Sequence, residues 1–222
     1  MDLWRLVADQ RCAACSARGT LLCRTCRSAM PWLCGPLCKR CGEPEPRPRI
    51  ACPVCDRLGR SIGSVRSAVE LDPFGASLVR AWKDAARAPV ARLAAACLVA
   101  AVPRPLCDLI VPVPAASSRA AWRGVDGPSD LVRLLGRAWM LPTAGDALRR
   151  INDRPQRGLS ADQRRRNAAG AFAAAHVVTG RVLLVDDVMT TGATLRAAAW
   201  LLRQSGAERV DVVTFARVVT TL

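Results

Sequence analysis

Residues 182–194 read VLLVDDVMTTGAT. Four apolar residues run directly into two adjacent carboxylates, and a short threonine loop around one glycine follows. An apolar run of that length, closed by a turn signal, predicts a buried strand over 182–185. Ligands of parallel sheets bind at the carboxyl ends of the strands, which is where Asp186 and Asp187 fall. The next residues lead into a helix expected over 194–205. A helix N-terminus offers free backbone N–H groups and the positive end of the dipole to an anion. Met189, Thr190, Thr191, Gly192, Ala193 and Thr194 form this candidate cradle, with the threonines adding hydroxyl donors. Carboxylates beside such a cradle accept hydrogen bonds from vicinal sugar hydroxyls, so the stretch predicts a sugar-phosphate site. A plain N-cap after a buried strand would account for Thr194 but not for the paired acids.

The flanking chain supplies the rest of an α/β fold. VRSAVEL (65–71) alternates like a strand, and PFGASLVRAWKDAAR (73–87) has the period of an amphipathic helix. A second helix is expected over 89–101. The run LCDLIVPVP (106–114) reads as a buried strand stopped by prolines, and PSDLVRLLGRAWM (128–140) opens with helix-start residues. Residues 149–167 are dense in arginine and read as a loop followed by a short helix. A last strand is expected over 209–216. Strands alternating with helices of about a dozen residues imply a mostly parallel sheet with helices on both faces. His176, the only histidine, lies far in sequence from these loops and reads as structural.

The first quarter has a different texture. Nine of the eleven cysteines lie between Cys12 and Cys55. Eight form CxxC pairs: Cys12/Cys15, Cys23/Cys26, Cys38/Cys41 and Cys52/Cys55. Such a turn can aim two thiolates at one tetrahedral ion, and two pairs close a four-thiolate zinc site. Pairing in sequence order gives two structural zinc sites; an interleaved pairing is the alternative. With no histidine near and no open coordination position, the metal is structural, and the module needs it to fold. Cys34 is left over, while Cys97 and Cys107 read as small core residues. The boundary is expected at LGRSIGS (58–64), giving a cysteine-rich module over 1–60 and an α/β domain over 61–222.

A formal charge of +15, almost wholly from arginine, suits a polyanionic partner such as nucleic acid or a phosphate-rich substrate; a biased genome composition is the bland alternative. Trp82, Trp122, Trp139 and Trp200 lie near arginines, as stacking platforms for single-stranded DNA do, although helical spacing also fits them to a core. No apolar run approaches the ~20 residues of a membrane span, so no membrane insertion is expected. The opening MDLWRLVADQRC has no signal-peptide pattern, so the expected location is cytoplasmic.

VLLVDDVMTTGAT resembles the phosphoribosyl pyrophosphate (PRPP) motif of type I phosphoribosyltransferases. DLIVPVPAASSR (108–119), with Pro114, Ala115, Ala116 and Arg119, resembles the diphosphate loop of the same fold. The order of parts is similar to that of the ComF family of competence-associated proteins: paired CxxC modules, a helix with Lys83, VPVP, WRG (122–124), RPQRGLSADQRRRNAAGAF, then the PRPP motif. Gln156, Leu159, Ser160, Arg164, Asn167, Gly170 and Phe172 match that family's spacing. The chain departs from it at Asp126–Gly127, where many members carry Asn-Gln.

The resemblance implies that Asp186 and Asp187 hold the ribose, 190–194 the 5-phosphate and 114–119 the diphosphate, with Mg²⁺ bridging diphosphate and ribose oxygens. Arg154 or Arg157, in a stretch that is either a lid or a solvated charged face, would cover the diphosphate. It further implies a role in DNA uptake or the processing of single-stranded DNA, alongside DNA-uptake or helicase machinery. Two readings stand together: a PRPP-binding protein that handles DNA, or an active phosphoribosyltransferase with an unidentified base or small-molecule acceptor.

Overall fold

The computed structural model of the chain describes residues 11–45, 51–84, 88–115, 126–151 and 171–220. In chain order these form α1 (Arg24–Ser28), α2 (Pro53–Leu58), β1 (Val65–Glu70), α3 (Pro73–Asp84), α4 (Ala88–Ala101), β2 (Leu109–Pro112) and α5 (Gly127–Trp139). They continue with β3 (Leu148–Arg150), β4 (Phe172–Ala174), β5 (Gly180–Met189), α6 (Ala193–Gln204) and β6 (Ala207–Arg217).

The main sheet has four strands in the order β1-β6-β5-β2, all parallel. Alternation along β5 sorts its side chains onto two faces. Leu183 and Val185 join a core with Leu78 and Trp82 of α3, Leu98 of α4 and Leu131 of α5. Val182 and Leu184 join the opposite core with Leu195, Ala198 and Leu202 of α6. Helices therefore cover both faces, which is what a buried parallel sheet requires. Pro112 is tolerated in β2 because that strand is at the edge of the sheet, where its outer side meets the described chain only through the isolated Ile110–Thr143 bridge. The short antiparallel pair β3-β4, with Leu148 and Phe172 in the α6-side core, was not foreseen; it interrupts the stretch expected to be loop from 149.

One boundary matters for function. β5 does not stop at Val185 but continues through both aspartates to Met189, because β6 keeps pairing with it as far as Met189↔Arg217. On its other side β2 ends at Pro112↔Val185, and the Val113 amide donates to the Val185 carbonyl at 2.8 Å. Among the described residues, the acids thus sit in a strand with a paired strand on one side only.

The cysteine-rich part packs into the same two cores. Ala13 and Met30 enter the α3-side core, and Cys38, Cys41, Val54 and Leu58 the α6-side core. Trp32 bridges Val69 at the free edge of β1. A buried ion pair ties it further: the Arg217 guanidinium, at the end of β6, meets the Glu43 carboxylate and donates to the Cys41 carbonyl at 2.5 Å. No helix among the described residues is long and apolar enough to cross a membrane.

Candidate functional site

The eight paired cysteines gather in two groups, Cys12/Cys15/Cys23/Cys26 and Cys38/Cys41/Cys52/Cys55, with the sulfurs of each within 4.8 Å of one another. This is the sequence-order pairing and not the interleaved one. Four ligands at the Zn–S distance of ~2.3 Å in a tetrahedron stand ~3.8 Å apart. Cys15 and Cys23 are at 3.8 Å, Cys38 and Cys55 at 3.6 Å, and Cys41 and Cys52 at 3.5 Å. The residues present fit two closed zinc sites.

Their electrostatics point the same way. Burial works to raise the Cys12 thiol, but backbone donors from Cys15, Cys23 and Ala14 outweigh it and bring it down to about 6. Cys38 behaves alike: burial opposes, and the amides of Cys41 and Arg40 help lower it to about 7. Burial and the neighbouring thiols push Cys26 and Cys41 upward, and Cys55 up to about 11. Four crowded thiols cannot all ionise without a cation, which a divalent metal supplies. Cys34 is exposed and outside both groups, and burial pushes Cys97 and Cys107 up to about 11 as inert core thiols.

At the sheet's carboxyl edge, Thr190 and Thr191 are exposed and Gly192 is the N-cap of α6 with φ +74°. Thr194 lies inside the helix, so it is not the cap. The first intrahelical bond is donated by Arg196 to the Gly192 carbonyl, which leaves the amides of Ala193, Thr194 and Leu195 ahead of the ladder. Ala193 N–H also reaches Thr191 Oγ1 at a long 3.4 Å. No acidic residue stands in the first turn to offset the dipole. Gly192 is required twice over: its φ disfavours a side chain, and a Cβ there would lie 2.7 Å from Leu58 Cδ2. Leu58 belongs to α2, the helix that carries the ligand Cys55, and Arg196 Nη1 donates to the Arg57 carbonyl at 2.9 Å. The second cysteine group is therefore joined to the turn at Gly192 by direct packing.

Asp186 and Asp187 point to different sides, as strand alternation requires. Asp186 Oδ1 accepts from the Asp187 amide at 2.8 Å. Asp187 Oδ2 lies on the α3/α5 side, 3.5 Å from where a Cβ on Gly127 would sit. Pro114 and Ala115 follow directly on β2, whose end is beside the acids. Ala116, Arg119, Trp122, Arg154, Arg157 and the segment from Gln156 to Gly170 lie outside the described residues. His176 is exposed, and Trp82 and Trp139 are core residues, while Trp200 is half exposed. Gly127, in the Asp126–Gly127 pair where the chain departs from the family pattern, borders Asp187. That neighbourhood, with Trp82 across from it, was missed because three distant segments build it.

The family profile described as "Phosphoribosyl transferase domain" matches residues 144–220. Competence protein F of Haemophilus influenzae is 38% identical over 117 residues, 50% of this chain and 51% of that protein, so the chain spans about half the length of that relative. DNA utilization protein YhgH of Salmonella typhi is 34% identical over 190 residues, covering 79% of this chain and 82% of that protein. The YhgH protein of Escherichia coli K12 is 30% identical over 185 residues, with the same coverage.

Proposed function

Given that the chain belongs to the ComF family of phosphoribosyltransferase-like proteins, we propose that it binds PRPP at the carboxyl edge of the sheet and acts in the handling of single-stranded DNA. The observation that carries this is the delivery, by one continuous strand, of two carboxylates into an αL glycine turn and an uncompensated helix N-terminus. The amides of 193–195 and the hydroxyls of Thr190 and Thr191 take the 5-phosphate, and Asp186 and Asp187 take the ribose hydroxyls. Pro114, Ala115, Ala116 and Arg119 take the diphosphate. Carboxylates are hard oxygen donors that suit Mg²⁺, which when bound neutralises charge on the diphosphate.

Displacement at C1 of PRPP passes through a cationic ribose, so the residues act mostly by positioning and by charge. The cysteine-rich module over 1–60 serves as a zinc-held buttress for the α/β domain over 61–222. The names of the relatives, competence and DNA utilization, support a role in the use of DNA, which this reading places in the cytoplasm on incoming DNA, beside uptake or helicase machinery. The charge of +15 suits a strand of phosphates.

The test is calorimetric titration with PRPP and Mg²⁺. Wild type binds saturably and the Asp186→Ala/Asp187→Ala variant does not; equal binding removes the assignment. Pyrophosphate release with a panel of bases, with and without single-stranded DNA, separates a transferase from a binder. DNA affinity that does not fall with salt would remove the nucleic-acid part.

A further inference from the structure

Residues 11–42 carry Arg11, Arg18, Arg24, Arg27, Lys39 and Arg40 and not one Asp or Glu. Arg40 turns inward, its guanidinium on the carbonyls of Cys55 and Ile62. The other five are exposed. A solvated surface ordinarily intersperses both signs of charge, and a field of one sign steers ligands of the other. A closed four-thiolate zinc site carries a net charge of roughly −2, which two cations would offset. The lobe around the first cysteine group therefore stays cationic beyond what its metal needs. Arg24 and Arg27 stand one turn apart on α1, with no acid in its first turn.

Trp32 belongs to the same lobe and is 38% exposed, whereas Trp82 and Trp139 are in the core. Its backbone is fixed against the outer edge of β1. The Leu33 amide donates to the Ala68 carbonyl at 3.1 Å, and the Glu70 amide to the Pro31 carbonyl at 2.8 Å. This bridge continues a row across the sheet: Trp32 faces Val69, Val69 pairs with Ala216, and Ala216 pairs with Val188. Val188 directly follows Asp187. Three strand spacings of ~4.8 Å put the Trp32 backbone ~14 Å from the strand that carries the acids. The lobe thus lies at the carboxyl end of the sheet, beside that edge and not on it.

We propose that this first zinc lobe is the surface that takes single-stranded DNA. Arg11, Arg18, Arg24, Arg27 and Lys39 meet the phosphates, and Trp32 stacks on an unpaired base. Phosphates alone would be held by the arginines in any nucleic acid; an exposed indole among them favours a strand whose base faces are open. The inference rests on the DNA-handling reading and adds to it the surface. It also divides the work of the two cysteine groups: α2 of the second packs on Gly192, and the first presents the strand.

The test is fluorescence anisotropy of a labelled oligothymidylate and of a duplex of equal length, titrated over a salt series with the full-length zinc-loaded chain. Each phosphate contact on a single strand contributes a slope of ~0.7 in log affinity against log salt. Arg24→Gln/Arg27→Gln should flatten the slope by about 1.4 and weaken binding about tenfold at ~0.1 M salt. Arg149→Gln/Arg181→Gln removes the same charge from exposed positions outside the lobe and should leave the slope unchanged. Trp32→Leu should weaken the single strand about fivefold or more and spare the duplex, and Trp32→Phe should restore most of the loss. Zinc content and melting temperature should stay at wild-type values in all four variants, since none touches a metal ligand. Equal effects of the two arginine pairs, or a Trp32→Leu loss shared by the duplex, overturn the surface. Tighter binding to phosphatidylglycerol vesicles than to the oligonucleotide at equal phosphate assigns the lobe to a membrane surface and overturns it too. Failure of wild type to bind the oligonucleotide overturns the DNA-handling reading together with this one, whereas wild-type binding that is blind to the lobe variants overturns only the surface.

Discussion

The Arg217–Glu43 pair makes the sharpest energetic prediction. Its side chains are 1% and 6% exposed, and the residues are 174 positions apart. Glu43 holds three things together: the guanidinium through Oε2, the Thr220 amide through Oε1 at 2.5 Å, and indirectly the Cys41 carbonyl, which Arg217 grips with Nη1. Glu43→Ala leaves a buried cation without its counter-charge, which costs about 3–5 kcal/mol. Losing the Thr220 hydrogen bond adds about 1 kcal/mol. Against a total stability of about 5–15 kcal/mol, the loss is large enough to read in urea unfolding of the zinc-loaded protein. Arg217 pairs with Met189 across the sheet, and the Val218 amide donates to the Met189 carbonyl at 2.9 Å, so PRPP affinity should fall together with stability. The double variant Glu43→Gln/Arg217→Met removes both charges while keeping volume, and should recover most of the lost stability. A Glu43→Ala cost below about 1 kcal/mol, or the same cost in an Arg217→Met background, would refute the reasoning.

Gly192→Ala should destabilise by about 1–2 kcal/mol from its backbone conformation alone, with more from the collision with Leu58, and should abolish PRPP binding; adding Leu58→Ala relieves the collision but not the backbone cost, as thermal melts will register. Metal analysis should give two zinc ions per chain, falling to one in Cys52→Ser/Cys55→Ser. That variant should lose PRPP binding because α2 abuts the anion loop, whereas a folded Cys12→Ser/Cys15→Ser should keep it. Although burial opposes it, Asp211 is held below the usual carboxylate range by hydrogen bonds from Arg209 and Ser64. The stabilisation it provides is complete above its unfolded value near pH 4 and is lost as pH falls through the lower folded value. Asp211→Asn should therefore cost about 0.5–1 kcal/mol at pH 7 and progressively less as the pH falls below 4, measured as a difference in unfolding midpoints.

What could be read from the sequence was whatever neighbours along the chain decide. Two residues between cysteines set the reach of a pair of thiolates, so the four pairs were visible before any coordinates, while the choice of sequence-order over interleaved grouping came from the fold. Apolar runs and helical periods gave the order of strands and helices, and with it the parallel sheet. The run into Asp186–Asp187 and Gly192 announced a strand, a glycine turn and a helix start, because these three are consecutive. The end of β5 was misjudged by four residues because pairing with β6, a partner lying beyond α6, keeps the strand extended through charged residues that a run of hydrophobicity cannot include. The β3-β4 pair stayed hidden for the same reason: three-residue strands have no period of their own and exist through each other. The tertiary structure alone decided that Cys41 is held by Arg217, that Leu58 rests on Gly192, and that Trp82, Gly127 and Asp187 share one small space. Each of these is a contact between segments tens to hundreds of residues apart, and the chain's path through the core, not the identity of adjacent residues, brings them within reach.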